Sequence, residues 1–231
     1  MVVGRAGYGS SRKGERKLNS DHVEFPCGDI TLEGVWHLPG GKGPFSAVIV
    51  CHPHSLYGGN MWNNVVVVAC DSLSRESIAA FRFNFRGVGK SGGTFGGGTA
   101  EREDVKAALD IVSSTETIDP QRIGLVGYSF GGSVTLPVAL EDDRIALLAL
   151  VSPALTDAAW DRLEEYSRPK LVVVGSADTI LQLDRFRQYL TDVRAPSQYH
   201  LVSGADHFWL GYEDELSQKL TDFFVTGFKA I

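Results

Sequence analysis

Gly127-Tyr128-Ser129-Phe130-Gly131 sets a hydroxyl between two glycines, directly after the apolar run Ile123–Val126 and directly before a stretch of helical period. A serine on such a strand-to-helix turn has its oxygen exposed at the helix N-terminus. Unpaired N–H groups and the macrodipole there favour the negative charge that grows as a hydroxyl attacks a carbonyl. The plainer alternative is a Gly-rich turn with an incidental serine, and the placement between strand and helix argues against it. Serine is a weak nucleophile until a base takes its proton, so the chemistry requires a histidine and an acid farther along, each past a strand's carboxyl end. His207, in Gly204-Ala205-Asp206-His207-Phe208-Trp209, and Asp178, in Val174-Gly175-Ser176-Ala177-Asp178, stand at such places. Alone, Asp178 reads as a helix cap and His207 as a loop residue. Together with Ser129 they read as a catalytic triad for acyl transfer. Asp206, adjacent to His207, and Asp184, inside the following helix, are weaker candidates for the acid.

Acyl transfer also needs two donors for the oxyanion. One is the backbone N–H of Phe130. The other is expected in Cys51-His52-Pro53-His54-Ser55-Leu56-Tyr57-Gly58-Gly59; Pro53 has no N–H, which leaves His54, with Ser55 as the fallback. His52 and His54 have no accompanying carboxylate or cysteine cluster, so no metal is expected, and His52 reads as a structural residue bonded to backbone. Tyr57, Trp62, Trp160, Phe208 and Trp209 lie near these segments in sequence and are candidates for an aromatic wall around the substrate, core packing being the bland alternative for each. Gly87-Val88-Gly89-Lys90-Ser91-Gly92 imitates a phosphate-binding loop, but Asn84 stands where a P-loop needs glycine, and the next helix begins only near Ala100. It reads as a flexible surface loop beside the site.

These residues require a sheet to carry them. From Asp21 onward, short apolar runs alternate with segments of helical period, the signature of an α/β domain. His22–Pro26 and Ile30–Leu38 are separated by a short Gly-Asp turn and predict an antiparallel hairpin. Ala47–Cys51, Ala79–Phe85, Ile123–Val126, Ala146–Val151, Leu171–Val174 and the last run Gln198–Val202 predict a mostly parallel remainder, giving a doubly wound sheet of about eight strands. Helices are predicted over Trp62–Ser74, Ala100–Ser113, Phe130–Leu140, Leu181–Val193 and Glu213–Phe228, with Pro137 expected to bend or shorten the third. A small helix fits near Asp157–Tyr166, and no inserted lid domain does. Residues 1–20 are polar, Gly/Ser-rich and locally basic, and are expected to be a flexible extension before one domain spanning 21–231.

Among 231 residues, 43% hydrophobic types and a formal net charge of −6 suit a soluble globular chain and argue against binding nucleic acid or an anionic membrane, both of which need a positive field. Cys27, Cys51 and Cys70 are odd in number with no C-x-x-C pair, so they read as reduced thiols. Neither a membrane span nor a secretory signal is apparent, and the cytoplasm is the expected location.

The elbow GYSFGG, the acid loop VGSADTI and the histidine loop GADHFW together resemble the α/β-hydrolase superfamily, in the chain order Ser, Asp, His. HPHSLYGGNMWN and FRFNFRGVGKSGG are similar to those of small, lidless bacterial hydrolases near the dienelactone hydrolases. Dienelactone hydrolases carry cysteine at the elbow, whereas this chain has Ser129. The resemblance implies an α/β-hydrolase fold and serine ester hydrolysis, a carboxylesterase activity without a cofactor; the missing lid argues for small-molecule esters of short to medium acyl chain, and a monomer or homodimer is expected. It leaves open a thioesterase, a peptidase or amidase with the same triad, and a non-catalytic binding protein.

Overall fold

The hairpin forms where the sequence places its turn. Gly28 takes φ of +56°, a left-handed conformation that suits glycine, and the strands on either side, β1 (Asn19–Cys27) and β2 (Ile30–Leu38), pair antiparallel with Cys27 opposite Ile30. The computed structural model describes residues 19–181, 183–191 and 196–231. Residues 1–18 of the expected extension lie outside the described residues, as do Gln182, Asp192 and Val193 of the expected fourth helix. Asn19 and Ser20 belong to β1.

After the hairpin come β3 (Phe45–Cys51), α1 (Asn64–Arg75), β4 (Ala79–Phe83), α2 (Glu101–Ser114), β5 (Ile118–Tyr128) and α3 (Phe130–Glu141). β6 (Ile145–Val151), α4 (Asp157–Leu163), β7 (Lys170–Gly175), α5 (Leu183–Thr191), β8 (Ser197–Val202) and α6 (Glu213–Lys229) complete the chain. The eight strands form one sheet in the order β1-β2-β4-β3-β5-β6-β7-β8, parallel from β4 to β8. From β3 the chain first winds outward to β4, then returns past β3 to β5. Such a reversal opens a crevice at the carboxyl ends of the central strands.

The central strands are apolar on both faces because both are covered. Val65, Val66, Ala69 and Leu73 of α1, with Leu216, Leu220 and Phe224 of α6, bury one face, against Val48, Val50, Leu171 and Val173. Val105, Ala108 and Leu109 of α2, Val134 and Val138 of α3, and Phe186 of α5 bury the other, against Ala47, Ile49, Leu125 and Val172. Pro137 does not shorten α3, which runs on to Glu141 through well-buried surroundings. Between β6 and β7 the chain inserts α4, seven residues long, and no lid domain. Among the described residues no helix is long and apolar enough to cross a membrane.

Candidate active site

Ser129 stands between the last residue of β5 and the first of α3 with φ of +54° and ψ of −117°, a conformation that a residue with a Cβ adopts only under constraint. The glycines permit the close packing that supplies this constraint. A Cβ on Gly131 would come within 2.5 Å of the Cys51 carbonyl oxygen and 2.8 Å of that of His52, and one on Gly127 would meet the Thr135 hydroxyl and Gly132. The elbow is thereby pressed against the end of β3.

The hydroxyl, imidazole and carboxylate converge there from three loops. His207 Nε2 lies 2.9 Å from Ser129 Oγ, and His207 Nδ1 lies 2.8 Å from Asp178 Oδ2. An ionised carboxylate only accepts, so Nδ1 carries the proton and Nε2 is free to accept from the serine. Burial by itself would raise the Asp178 pKa, but the hydrogen bonds it accepts from His207 and the Ile180 N–H outweigh it and hold the carboxyl below its ordinary range. The Ile180 and Leu181 N–H groups reach Oδ1 at 3.0 and 3.2 Å, so Asp178 caps the following turn as well as meeting the imidazole. Asp206 is occupied otherwise: its Oδ1 accepts the N–H groups of Phe208 and Trp209, both at 2.9 Å, which shapes the turn after His207. Asp184 pairs with Arg187 on the exposed side of α5.

Beyond β3, His52 is fully buried and ties two loops together. Its Nε2 accepts the Phe85 N–H at 3.0 Å and its Nδ1 donates to the Pro53 carbonyl at 2.6 Å. Burial pushes its pKa down to about 4, so it stays neutral. Among the described residues no cluster of His, Cys, Asp or Glu is arranged to hold a metal ion. His54 lies at the start of a short 3-10 turn (Ser55–Tyr57), its ring 4.7 Å from that of Phe130. Neither the His54 nor the Phe130 N–H donates to a protein acceptor among the described residues. The Ser55 hydroxyl is buried and has no hydrogen-bond partner among the described residues.

The aromatic candidates separate into three groups. Tyr57 packs on the His54 ring at 4.7 Å and is 87% exposed, and Phe208 sets its edge to the His207 ring at 5.8 Å. Trp160 and Trp209 are core residues instead, which corrects the expectation that they wall the substrate. Trp160 is buried among the residues beneath α3 to α5, against Phe186, and Trp209 is fully buried under the opposite face with its indole N–H on Ser152 Oγ. Trp62 is half exposed, and its ring is taken up by the Arg82 guanidinium, 4.1 Å above it, and by His22. No sequence signal points to Phe95, yet its ring meets His54 at 4.9 Å and Phe130 at 5.7 Å. The loop Gly87–Gly92 spends its N–H groups on the protein: Lys90 donates to Glu33, Gly92 to Thr31 and Gly87 to Gly92.

The sequence profile of the Dienelactone hydrolase family matches residues 95–220, which include the elbow, Asp178 and His207. The chain belongs to that family. An uncharacterized protein of Rickettsia prowazekii is 31% identical over 186 residues, 77% of this chain and 78% of its own length. Among solved structures, an alpha-beta serine hydrolase homologue from Coxiella burnetii shares 31% identity with a TM-score of 0.78, covering 90% of this chain and 99% of its own. A serine hydrolase without lid from Xanthomonas campestris shares 28% identity with a TM-score of 0.75, covering 88% of this chain and 92% of its own. This member of the dienelactone hydrolase family is thus an α/β hydrolase of the lidless kind, with serine at its elbow.

Proposed function

We propose that the protein is a carboxylesterase that cleaves esters of short to medium acyl chain through Ser129, His207 and Asp178. The observation that carries this reading is the continuous hydrogen-bonded relay from Ser129 Oγ to His207 and on to Asp178. As Oγ attacks the ester carbonyl, His207 Nε2 takes its proton, and Asp178 stabilises the imidazolium through Nδ1–H. The N–H groups of Phe130 and His54, free of protein acceptors among the described residues, receive the oxyanion. The imidazolium then protonates the departing alkoxide, leaving an acyl-Ser129 ester. Water, deprotonated by the same imidazole, attacks that ester, and the proton returns to Ser129 as the acid leaves. A strained, buried elbow aims the hydroxyl before substrate arrives, which favours electrostatic preorganisation.

The restriction on chain length is supported by the connection between β6 and β7, where α4 alone offers nothing to wall a long tunnel. Tyr57 and Phe208, exposed beside the relay, are the side chains proposed to contact the acyl or alcohol group. The test is fluorophosphonate labelling followed by rates on p-nitrophenyl esters from acetate to palmitate. Labelling at Ser129, its loss in Ser129→Ala and a rate maximum at short or medium chains are expected. Turnover retained in purified Ser129→Ala refutes the triad, and a maximum at palmitate refutes the chain-length reading.

A further inference from the structure

The Phe208 ring is exposed, but its main chain is held on both sides. The ring is 56% exposed, with its edge toward the His207 imidazole. Its N–H donates to Asp206 Oδ1 at 2.9 Å, as does that of Trp209. The loop does not satisfy its carbonyl: among the described residues no main-chain N–H donates to it. The donor comes from a distant part of the chain, Asn64 Nδ2, at 3.0 Å.

Asn64 is the first residue of α1, and it reaches the start of α6 as well. The same Nδ2 donates to Glu213 Oε1 at 3.0 Å, and Glu213, the first residue of α6, accepts the Gly211 N–H on Oε2 at 2.7 Å. An amide nitrogen carries two protons, and both are spent here. A carbonyl and an ionised carboxylate only accept, so the amide is set in one orientation; with Oδ1 in that place, neither partner would have a proton to take. Glu213 thus orients Asn64 and secures Gly211, while Asn64 holds Phe208. The loop that carries His207 is tied in this way to the starts of two helices that pack on the same face of the sheet.

We propose that Asn64 is a positioning residue for substrate selection: its amide, oriented by Glu213, clamps the Phe208 main chain so that the exposed ring meets the ester from one fixed place. The proposal rests on the reading of Phe208 as a substrate contact of the esterase site. His207 itself is held separately, by Asp178 through its ring and by the Tyr128 hydroxyl through its carbonyl. Loss of the clamp therefore falls on KM and spares kcat. A ring on an unclamped main chain samples several positions, and binding is weakened by the fraction of time spent in the wrong ones.

Ester rates and hydrogen exchange on the full chain test this. Asn64→Ala is expected to raise KM for a p-nitrophenyl ester about threefold, with kcat within about twofold of wild type, and to accelerate exchange of the Phe208 and Trp209 N–H groups. Phe208→Ala raises KM by itself, and adding Asn64→Ala to it is expected to change KM no further, since the clamp then has no ring to place. The double variant Asn64→Asp, Glu213→Gln reverses donor and acceptor between the two side chains. It restores the tie between α1 and α6 but offers the Phe208 carbonyl no proton, so its KM is expected to stay as high as that of Asn64→Ala. Recovery of KM in this double variant would make the contact a tie between helices and overturn the proposal. Additive effects of Asn64→Ala and Phe208→Ala, or a KM unchanged in either folded single variant, would overturn it too. A wild-type chain that turns over no ester would sink the esterase reading; exchange unchanged in Asn64→Ala would then sink the clamp, and faster exchange would uphold it.

Discussion

The Tyr128 hydroxyl donates to the main-chain oxygen of His207 at 2.9 Å, so the residue directly before Ser129 also anchors the loop that carries His207. Burial pushes the Tyr128 pKa upward, with the charges of Asp178 and Asp206 adding to it, so the hydroxyl remains a donor at any working pH. Replacing it with Phe removes the donor and leaves the His207 carbonyl short of a partner inside the protein. Tyr128→Phe is expected to lose about 1 kcal/mol of stability, or about 2–4 °C in Tm, and to lower kcat several-fold with little change in KM. Calorimetry and steady-state ester kinetics check both, and a kcat equal to wild type would remove Tyr128 from any role in placing His207.

His52 gives the fold a defined acid sensitivity. Its folded pKa, lowered to about 4 by burial, lies below the ordinary value of 6.5, so between those limits the unfolded chain binds more protons than the native one. Stability therefore rises with pH across that window and falls as pH drops through it, by roughly 3 kcal/mol from this residue alone. His52→Gln keeps an acceptor for the Phe85 N–H and cannot titrate. Denaturant melts at pH 7 and pH 4.5 are expected to diverge more for wild type than for this variant; equal losses would show that protonation of His52 is not resisted by the fold.

Gly131 separates the elbow from β3 by the width of a hydrogen atom. Its missing Cβ would meet main-chain oxygens of Cys51 and His52, which cannot rotate aside as a side chain does. Gly131→Ala must therefore push the end of β3 away from α3 and shift His54 relative to Phe130. Loss of one oxyanion donor in other hydrolases lowers kcat by about 100-fold or more, and a loss of that order is expected with circular dichroism unchanged. Wild-type rates in the folded variant would show that the His54 N–H plays no part.

The strands were legible because continuous Val, Ile, Leu and Ala runs have few other uses, yet their ends follow tertiary contacts that no run of residue types announces. The residue pattern carries β4 to Phe85, and the strand stops at Phe83, because the Asn84 side chain turns to the Met61 N–H and Glu33, and the Phe85 N–H is taken by His52. The pattern places β5 over Ile123–Val126, and the strand begins at Ile118, since Ile118 pairs with Phe45 across a polar Asp119-Pro120-Gln121 stretch that reads as a turn. Ser129, Asp178 and His207 are recognisable as candidates because each follows a strand in a short, glycine-containing loop. Trp160 and Trp209 mislead because closeness in sequence does not tell which way a ring points. Ser152 leaves no signal at all: a serine before a proline after a strand is common, and only the fold sets it under the Trp209 indole.

Glu101, at the start of α2, controls the placement of the loop that carries Phe95. It is fully buried, its Oε1 accepts the Gly96 N–H and its Oε2 accepts the Gly98 N–H, both at 2.7 Å, so both carboxylate oxygens hold the same turn. Phe95, immediately before that turn, packs on His54 and Phe130. Glu101→Gln preserves shape but leaves one oxygen to accept and turns an NH₂ toward a backbone donor, so one of the two N–H groups loses its partner and about 1–3 kcal/mol of local stability goes with it. Hydrogen exchange at Gly96 and Gly98 is expected to accelerate. Since the contacts among Ser129, His207 and Asp178 are untouched, kcat should hold while KM for an ester with an aryl leaving group rises several-fold, as the Phe95 ring no longer holds one position. A variant with faster exchange and unchanged KM would show that Phe95 lies outside the substrate's reach.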